Sequence, residues 1–465
     1  MRKWESLDID EILMKLEEIS SNDLEPEGGK LFSHIYDPGI DELKELSRKA
    51  FLKYLDKTML NFSIYPSILK MEREIVTIVK GLFNGGEEAV GNYTYGGTES
   101  IFLALKTARD YMKKEKNISK PNIVIPYTGH PAFIKSAQYL GIEVRFSSLT
   151  DEYTADINDM ERKIDGDTVA VIGSAPSYPY GTMDDIKALS ELAIEKDVWL
   201  HVDACIGGFV LPFLRELGED IPAFDFTLDG VKSISVDLHK YGYTPKGGSI
   251  ILYRDRNLRL HQIYVNASWP GYPLVNTTVL SSRSAGPLAA AYATLKYLGY
   301  SGYLNLTRKI LEARETIVDG LKKLGFKILG KPISSIVAFT SDEIDLYILA
   351  EKMKERGWYL QLQPGSADLG FPTSIHLTIS PIHSETANKL IEELKMLVED
   401  PRLKSYKPDI PEDILSLDDL SRLMEALGLR DLSFSRMDLV NRLIHILPPK
   451  EVETIFREIV NELFP

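Results

Sequence analysis

From residue 98 onward the spacing of apolar residues changes period repeatedly, and this alternation leaves the chain few architectures. Short runs with strand character stand at Asn122–Pro126, Glu143–Ser147, Thr168–Ser174, Val198–Ala204, Ser233–His239 and Gly248–Tyr253. Helical spacing marks 98–114, 131–140, 184–196 and 284–298. Strands separated by helices cannot be joined as tight hairpins, so they form a mainly parallel sheet covered on both faces. Ligands of such sheets sit beyond the carboxyl ends of the strands. Chemistry is therefore expected where strands stop, and His130, Ser177, Asp203, His239 and Lys240 stand at or just past such stops.

The 465 residues suffice for two or three domains with a sizeable core. A formal net charge of -14 argues against nucleic acid and anionic membrane surfaces, which both need a basic face. The single cysteine, Cys205, permits no intramolecular disulfide and no cysteine-based metal site, and no bound metal is expected. The start, Met1-Arg-Lys-Trp-Glu-Ser, carries no apolar signal region, and no run approaches the ~18–20 apolar residues of a membrane span. A cytoplasmic protein is expected.

Residues 1–65 read as an amino-terminal helical segment. The spacing at 7–20 predicts a helix that serves as a dimer arm or packs on its own domain, and 43–60 predicts another. Residues 66–300 form the large domain, opened by a helix at 66–82. Residues 301–400 read as a smaller α/β domain, with helices at 303–324, 343–356 and 384–399 around strands near Ser334–Thr340 and Ser374–Ile379. From Pro401 the composition shifts, and 401–465 reads as a helical extension with helices near 415–427, 435–446 and 449–463.

A lysine at a strand end beside a histidine is poorly placed as a solvated charge. A partly desolvated amine there is placed to form a Schiff base with a carbonyl. With Asp203 closing a neighbouring strand, Lys240 suggests pyridoxal phosphate: the lysine holds the aldehyde and the carboxylate pairs with the pyridinium nitrogen. Gly96-Gly97-Thr98 opens a helix, either as an anion cradle or as a plain glycine turn capped by Thr98. His130 stacks on a flat cofactor or is structural. His201 and Asp203 share a strand face, so His201 orients the carboxylate or is merely buried. Ser177 reaches the cofactor's phenolic oxygen or belongs to a Pro/Gly turn. Lys246 faces solvent unless an anionic substrate recruits it. Arg283 serves a carboxylate or phosphate, or a dimer salt bridge.

Together, Gly96-Gly-Thr-Glu-Ser100, His130-x-Ala-Phe-x-Lys135, His201-Val-Asp-Ala-Cys-Ile-Gly-Gly208 and Asp237-x-His-Lys-Tyr-Gly-Tyr-x-Pro-Lys-Gly247 resemble the pyridoxal-phosphate group II decarboxylase superfamily, and within it the sphingosine-1-phosphate lyase branch. Tyr65-Pro-Ser67, Leu82-Phe-Asn-Gly85, Gly357-Trp358 and Ser374-Ile-His376 extend the likeness over roughly 28–400. The resemblance implies fold type I, the aspartate-aminotransferase-like architecture, with a mainly parallel seven-stranded sheet. It also implies a homodimer with active sites at the subunit interface. Lys240 would carry the cofactor, Asp203 would pair with the pyridine nitrogen, and His130 would stack on the ring. Gly97, Thr98 and His239, beside Gly96, would hold the cofactor phosphate. Tyr36 and Lys246 match residues near the substrate phosphate in the lyases. The chain departs from the lyases at Asn61, where they carry a histidine, and at Tyr95, where they carry serine. Residues 201–213 also resemble archaeal tyrosine/aspartate decarboxylases. The expected activity is a carbon–carbon lyase acting on a phosphorylated 2-amino-3-hydroxy substrate. Its alternatives are an amino-acid decarboxylase of the tyrosine, aspartate or glutamate type, and a non-catalytic cofactor-binding protein in which Lys240 is inert.

Overall fold

A computed structural model describes residues 6–463 apart from 22, 25–27, 61, 401–402 and 404–436. Three helices lead the chain: α1 (Ile9–Ser20), α2 (Asp41–Tyr54) and α3 (Pro66–Leu82). The large sheet follows with β1 (Val90–Thr94), β2 (Asn122–Pro126), β3 (Glu143–Ser147), β4 (Thr168–Ser174), β5 (Trp199–Asp203), β6 (Val231–Asp237) and β7 (Ser249–Tyr253). Its strand order is β1-β7-β6-β5-β4-β2-β3. Only β7 runs antiparallel to its neighbours, so six strands end on one side.

The covering helices are α4 (Gly97–Lys116), α5 (Pro131–Leu140), α6 (Ile157–Lys163), α7 (Ile186–Glu195), α8 (Leu211–Glu216) and α9 (Arg256–Leu260). The central strands are buried on both faces, and alternate residues feed two cores. On β4, Ala170 and Ile172 join the core under α4 and α5, while Val171 joins the opposite one. On β5, Trp199 lies in the first core and Leu200 and Val202 in the second.

An exposed hairpin, β8 (Tyr264–Asn266) and β9 (Leu274–Asn276), leads to α10 (Gly286–Lys323). The sequence predicts two helices here, 284–298 and 303–324. They run end to end across Gly299, whose φ of 55° breaks the helical backbone. A four-stranded antiparallel sheet contains β10 (Lys327–Ile328), β11 (Ile336–Thr340), β12 (Gln361–Gln363) and β13 (Ser374–Thr378), with α11 (Leu346–Glu355) and α12 (Ala387–Val398). The extension supplies α13 (Met437–Ile446) and α14 (Pro449–Leu463). Arg442 on α13 grips both carboxylate oxygens of Asp345, at 3.0 and 2.9 Å, and so ties the extension to the N-cap of α11. The expected helix at 415–427 lies outside the described residues.

Strand β1 has no counterpart in the sequence prediction. Val-Gly-Asn-Tyr-Thr lacks an apolar run, and its glycine is needed where a Cβ would sit 2.5 Å from the Ile251 carbonyl oxygen. Among the described residues no helix is long and apolar enough to cross a membrane, and no group of three or more His, Cys, Asp or Glu is placed to hold a metal.

Candidate active site

The carboxyl ends of β1, β2, β5 and β6 open into one cavity of about 600 Å³, whose lining includes Gly97, His130, Asp203, His239 and Lys240. Lys240 stands three residues past β6. Its Nζ lies 2.9 Å from Oδ2 of Asp237, the strand's last residue. Burial pulls the Lys240 amine down, but the charge of Asp237, joined by Tyr36, Cys205 and Asp203, outweighs it and the net direction is up. For Asp237 burial pushes up, Lys240 together with His239 and Ser249 outweighs it, and the carboxyl ends below its usual range. The amine is thus not the bare, partly desolvated nucleophile that the sequence suggested. An acid three residues upstream holds it as an ammonium.

Asp203 closes β5. Its Oδ1 accepts from the Cys205 N–H at 3.0 Å and from Ser235 Oγ at 3.3 Å. No donor among the described residues reaches Oδ2. His130 caps α5, its Nδ1 accepting from the Ala132 N–H at 3.1 Å. Burial lowers its pKa, against the pull of Asp203, and leaves a neutral flat ring.

Helix α4 starts from Gly96, at φ +134°, with no side chain to cap it. The N–H groups of Gly97 and Thr98 therefore stay open to an anion, while that of Glu99 donates to the Gly96 carbonyl at 3.0 Å. A Cβ on Gly97 would lie 2.7 Å from both oxygens of Asp237, and one on Gly96 would lie 3.6 Å from His239 Cε1. His239 Nδ1 accepts from the Gly248 N–H at 3.3 Å, which fixes the ring against this turn.

Tyr36 and Lys246 come together nearby. Lys246 Nζ lies 4.9 Å over the Tyr36 ring and donates to the His34 carbonyl at 3.1 Å. Burial raises the Tyr36 pKa, and the charge of Lys240 opposes it. Lys246 therefore faces solvent over an aromatic ring.

Tyr36 and Lys246 are not among the residues lining the cavity, and neither are Ser177 and Arg283. Ser177 is buried with its Oγ 3.1 Å from Thr182 Oγ1, because its turn folds back on itself. Arg283 is buried behind the wall, where Nη1 donates to the Leu280 carbonyl at 3.1 Å and the charges of Glu99 and Glu72 face it. Asn61 lies outside the described residues.

The sequence reading missed Asp237 as a site residue, although an acid closing an apolar strand was a visible signal. It also missed Val279 and Leu280, which line the cavity. Glu99 Oε1 holds their N–H groups at 2.8 and 3.1 Å, a long-range clasp that no local pattern announces.

Residues 36–342 match the model of the pyridoxal-dependent decarboxylase conserved domain. The chain belongs to the pyridoxal-dependent decarboxylase family. It is 38% identical over 393 residues to the sphingosine-1-phosphate lyase of Oryza sativa subsp. japonica, covering 83% of this chain and 72% of that one. It is 34% identical over 358 residues to the L-aspartate decarboxylase of Thermococcus kodakarensis, covering 77% and 90%. The solved sphingosine-1-phosphate lyase of Burkholderia pseudomallei superposes with a TM-score of 0.81 at 34% identity, over 86% of this chain and 93% of that one. The fold is accordingly fold type I, and the chain is a pyridoxal-phosphate-dependent lyase.

The cavity fits that cofactor on its own terms. It offers an uncapped helix start for a phosphate, a lysine amine for an aldehyde, a carboxylate oxygen without a donor for a ring N–H, and a flat neutral imidazole.

Proposed function

We propose that the chain is an aldehyde-lyase cleaving the carbon–carbon bond between the amine- and hydroxyl-bearing carbons of a phosphorylated long-chain 2-amino-3-hydroxy compound. Sphingosine 1-phosphate or a close analogue is the substrate class, and a long-chain aldehyde and phosphoethanolamine are the products. The extended likeness to sphingosine-1-phosphate lyases carries this reading. The cavity supports it. No arginine is among its lining residues, so it offers no guanidinium fork for an amino-acid carboxylate, while Lys246 on Tyr36, outside that lining, offers a cation for a phosphate.

When bound, pyridoxal phosphate supplies an aldehyde for the substrate amine and a ring that takes up the electron pair of the broken bond. Lys240 would hold that aldehyde, and Asp237, 2.9 Å away, would hold the Lys240 ammonium whenever the amine is free. Asp203 Oδ2 would accept the ring N–H, and the His130 imidazole would pack against the ring. The N–H groups of Gly97 and Thr98, the Thr98 hydroxyl and His239 would bind the phosphate.

The same reading makes the chain a cytoplasmic homodimer with the domain division given above. Exposed Tyr264, Trp269 and Tyr272 of the hairpin segment continue into Val279 and Leu280 at the cavity wall, and a second copy covers them.

A second reading, an amino-acid decarboxylase, rests on the likeness that spans 90% of the L-aspartate decarboxylase. Incubating the cofactor-loaded chain with sphingosine 1-phosphate should release aldehyde and phosphoethanolamine. Carbon dioxide from aspartate, tyrosine or glutamate, with no aldehyde, replaces the first reading by the second.

A further inference from the structure

Strands β5 and β6 are buried on both faces, yet on the α4 side they carry polar residues at every second position. On β5 these are Trp199, His201 and Asp203, and on β6 they are Ser233, Ser235 and Asp237. The register sets His201 opposite Ser233 and Asp203 opposite Ser235. Buried polar groups are tolerated only when bonded, and here they zigzag between the strands. Trp199 Nε1 donates to Ser233 Oγ at 2.8 Å. Ser233 Oγ lies 2.8 Å from His201 Nδ1, His201 Nε2 lies 3.1 Å from Ser235 Oγ, and Ser235 Oγ reaches Asp203 Oδ1 at 3.3 Å.

The two ends fix the direction of the whole chain. An indole N–H only donates, and a carboxylate only accepts. Burial lowers His201 to about 4, so its ring is neutral and carries one proton. Ser235 has a single proton to give. The Cys205 thiol is also within its reach, but the carboxylate is the stronger acceptor. With that proton committed to Asp203, Ser235 must accept from His201 Nε2–H. His201 Nδ1 is then bare and accepts the Ser233 proton, and Ser233 accepts from Trp199. Phe133 packs edge-on against the imidazole at 5.6 Å and holds its plane.

We propose that Trp199, Ser233, His201 and Ser235 form a one-way hydrogen-bond relay whose last O–H pins Asp203 Oδ1 and leaves Oδ2 turned to the cofactor's ring nitrogen. His201 and Ser235 are thus positioning residues for Asp203. The inference rests on the assignment of Asp203 to the ring nitrogen made above.

The test uses the full chain. Nitrogen-15 NMR of histidine-labelled apoprotein, with His201→Gln to identify the resonance, reads the tautomer. A protonated Nε2 and bare Nδ1 are expected, and the reverse tautomer overturns the relay. Fluorescence titration then reads cofactor affinity. Ser235→Ala should raise Kd for pyridoxal phosphate about tenfold, the scale of one hydrogen bond to a charged group. Ser235→Thr, which keeps the hydroxyl, should restore most of the loss. Ser235→Ala binding as tightly as wild type, while Asp203→Asn binds weakly, overturns the proposal. If Asp203→Asn itself binds like wild type, the assignment of Asp203 to the ring nitrogen has failed, and the tautomer alone decides the relay.

Discussion

Removing one member of the Asp237–Lys240 pair should hurt the apoprotein more than removing both charges. At 2.9 Å and an effective dielectric of about 20, the attraction is about 6 kcal/mol. Desolvation of both groups consumes much of it. Asp237's side chain is 2% exposed and that of Lys240 18%, so the carboxylate depends on the pair more heavily. Lys240→Ala leaves a buried carboxylate with only His239 Nε2, at 3.7 Å, as a neighbouring base. That should cost about 3 kcal/mol, a drop of several degrees in Tm. Asp237→Asn in the Lys240→Ala background removes the orphaned charge at nearly constant shape and should recover half or more of the loss.

The pH dependence carries its own sign. Asp237 ionises below its usual range when folded, so the pair's contribution is intact above about pH 4 and is lost as pH falls through the depressed value. Lys240 is raised, so the contribution stays complete up to about pH 10 and disappears only above it. Thermal unfolding of the four apoproteins, wild type, each single variant and the double, measures all of this. If Asp237→Asn destabilises the Lys240→Ala protein as much as it destabilises wild type, the two groups are not coupled and the reasoning fails.

Gly97→Ala places a methyl 2.7 Å from both Asp237 oxygens, so cofactor affinity should fall at least tenfold with the helix intact, read by fluorescence titration and circular dichroism. Lys246→Met should raise KM for a phosphorylated substrate several-fold with a smaller change in kcat, because the cation is proposed to bind rather than react. Burial lowers His376 to about 4, below the 6.5 of an unfolded histidine. The unfolded chain therefore binds more protons between those values, and stability should fall as pH drops from 6.5 towards 4. His376→Gln should flatten that slope in apoprotein Tm measurements, whereas an unchanged slope removes His376 as its source.

Much of the large sheet was legible because its parallel strands are fully buried. Thr168–Ser174 and Asn122–Pro126 read as apolar runs, and both strands keep those bounds. The strand β1 was not legible, since its Gly91, Asn92 and Thr94 are chosen for close approach and long-range bonds, as when Asn92 Nδ2 donates to Glu72 Oε1 at 3.1 Å. At the site, Lys240, Asp203 and His130 stood out because functional groups interrupt apolar runs at strand ends. Ser177 misled for the same reason. A serine past a strand end looks reactive, and only the folded turn shows its hydroxyl on Thr182. Arg283 misled because nothing local reveals that its fork meets the Leu280 carbonyl inside the wall.

The placement of the acid and the amine follows from sheet geometry rather than from their separation in sequence. Because β5 and β6 are parallel neighbours, Asp203 and Ser235 share one register position. The chain beyond Ser235 then overshoots by a short segment, through Asp237 and into the turn that carries Lys240. The reversed strand β7 starts at this same end, so Gly248 returns to donate to His239. A parallel β7 would have needed a crossover at this point and would have left that imidazole unfixed. The one antiparallel strand therefore closes the turn that bears the amine, while polar alternation on β5 and β6 carries hydrogen bonds from Trp199 out to the acid. Two departures from a plain parallel apolar sheet, one in direction and one in polarity, both converge on the pair of strand ends that hold Asp203 and Lys240.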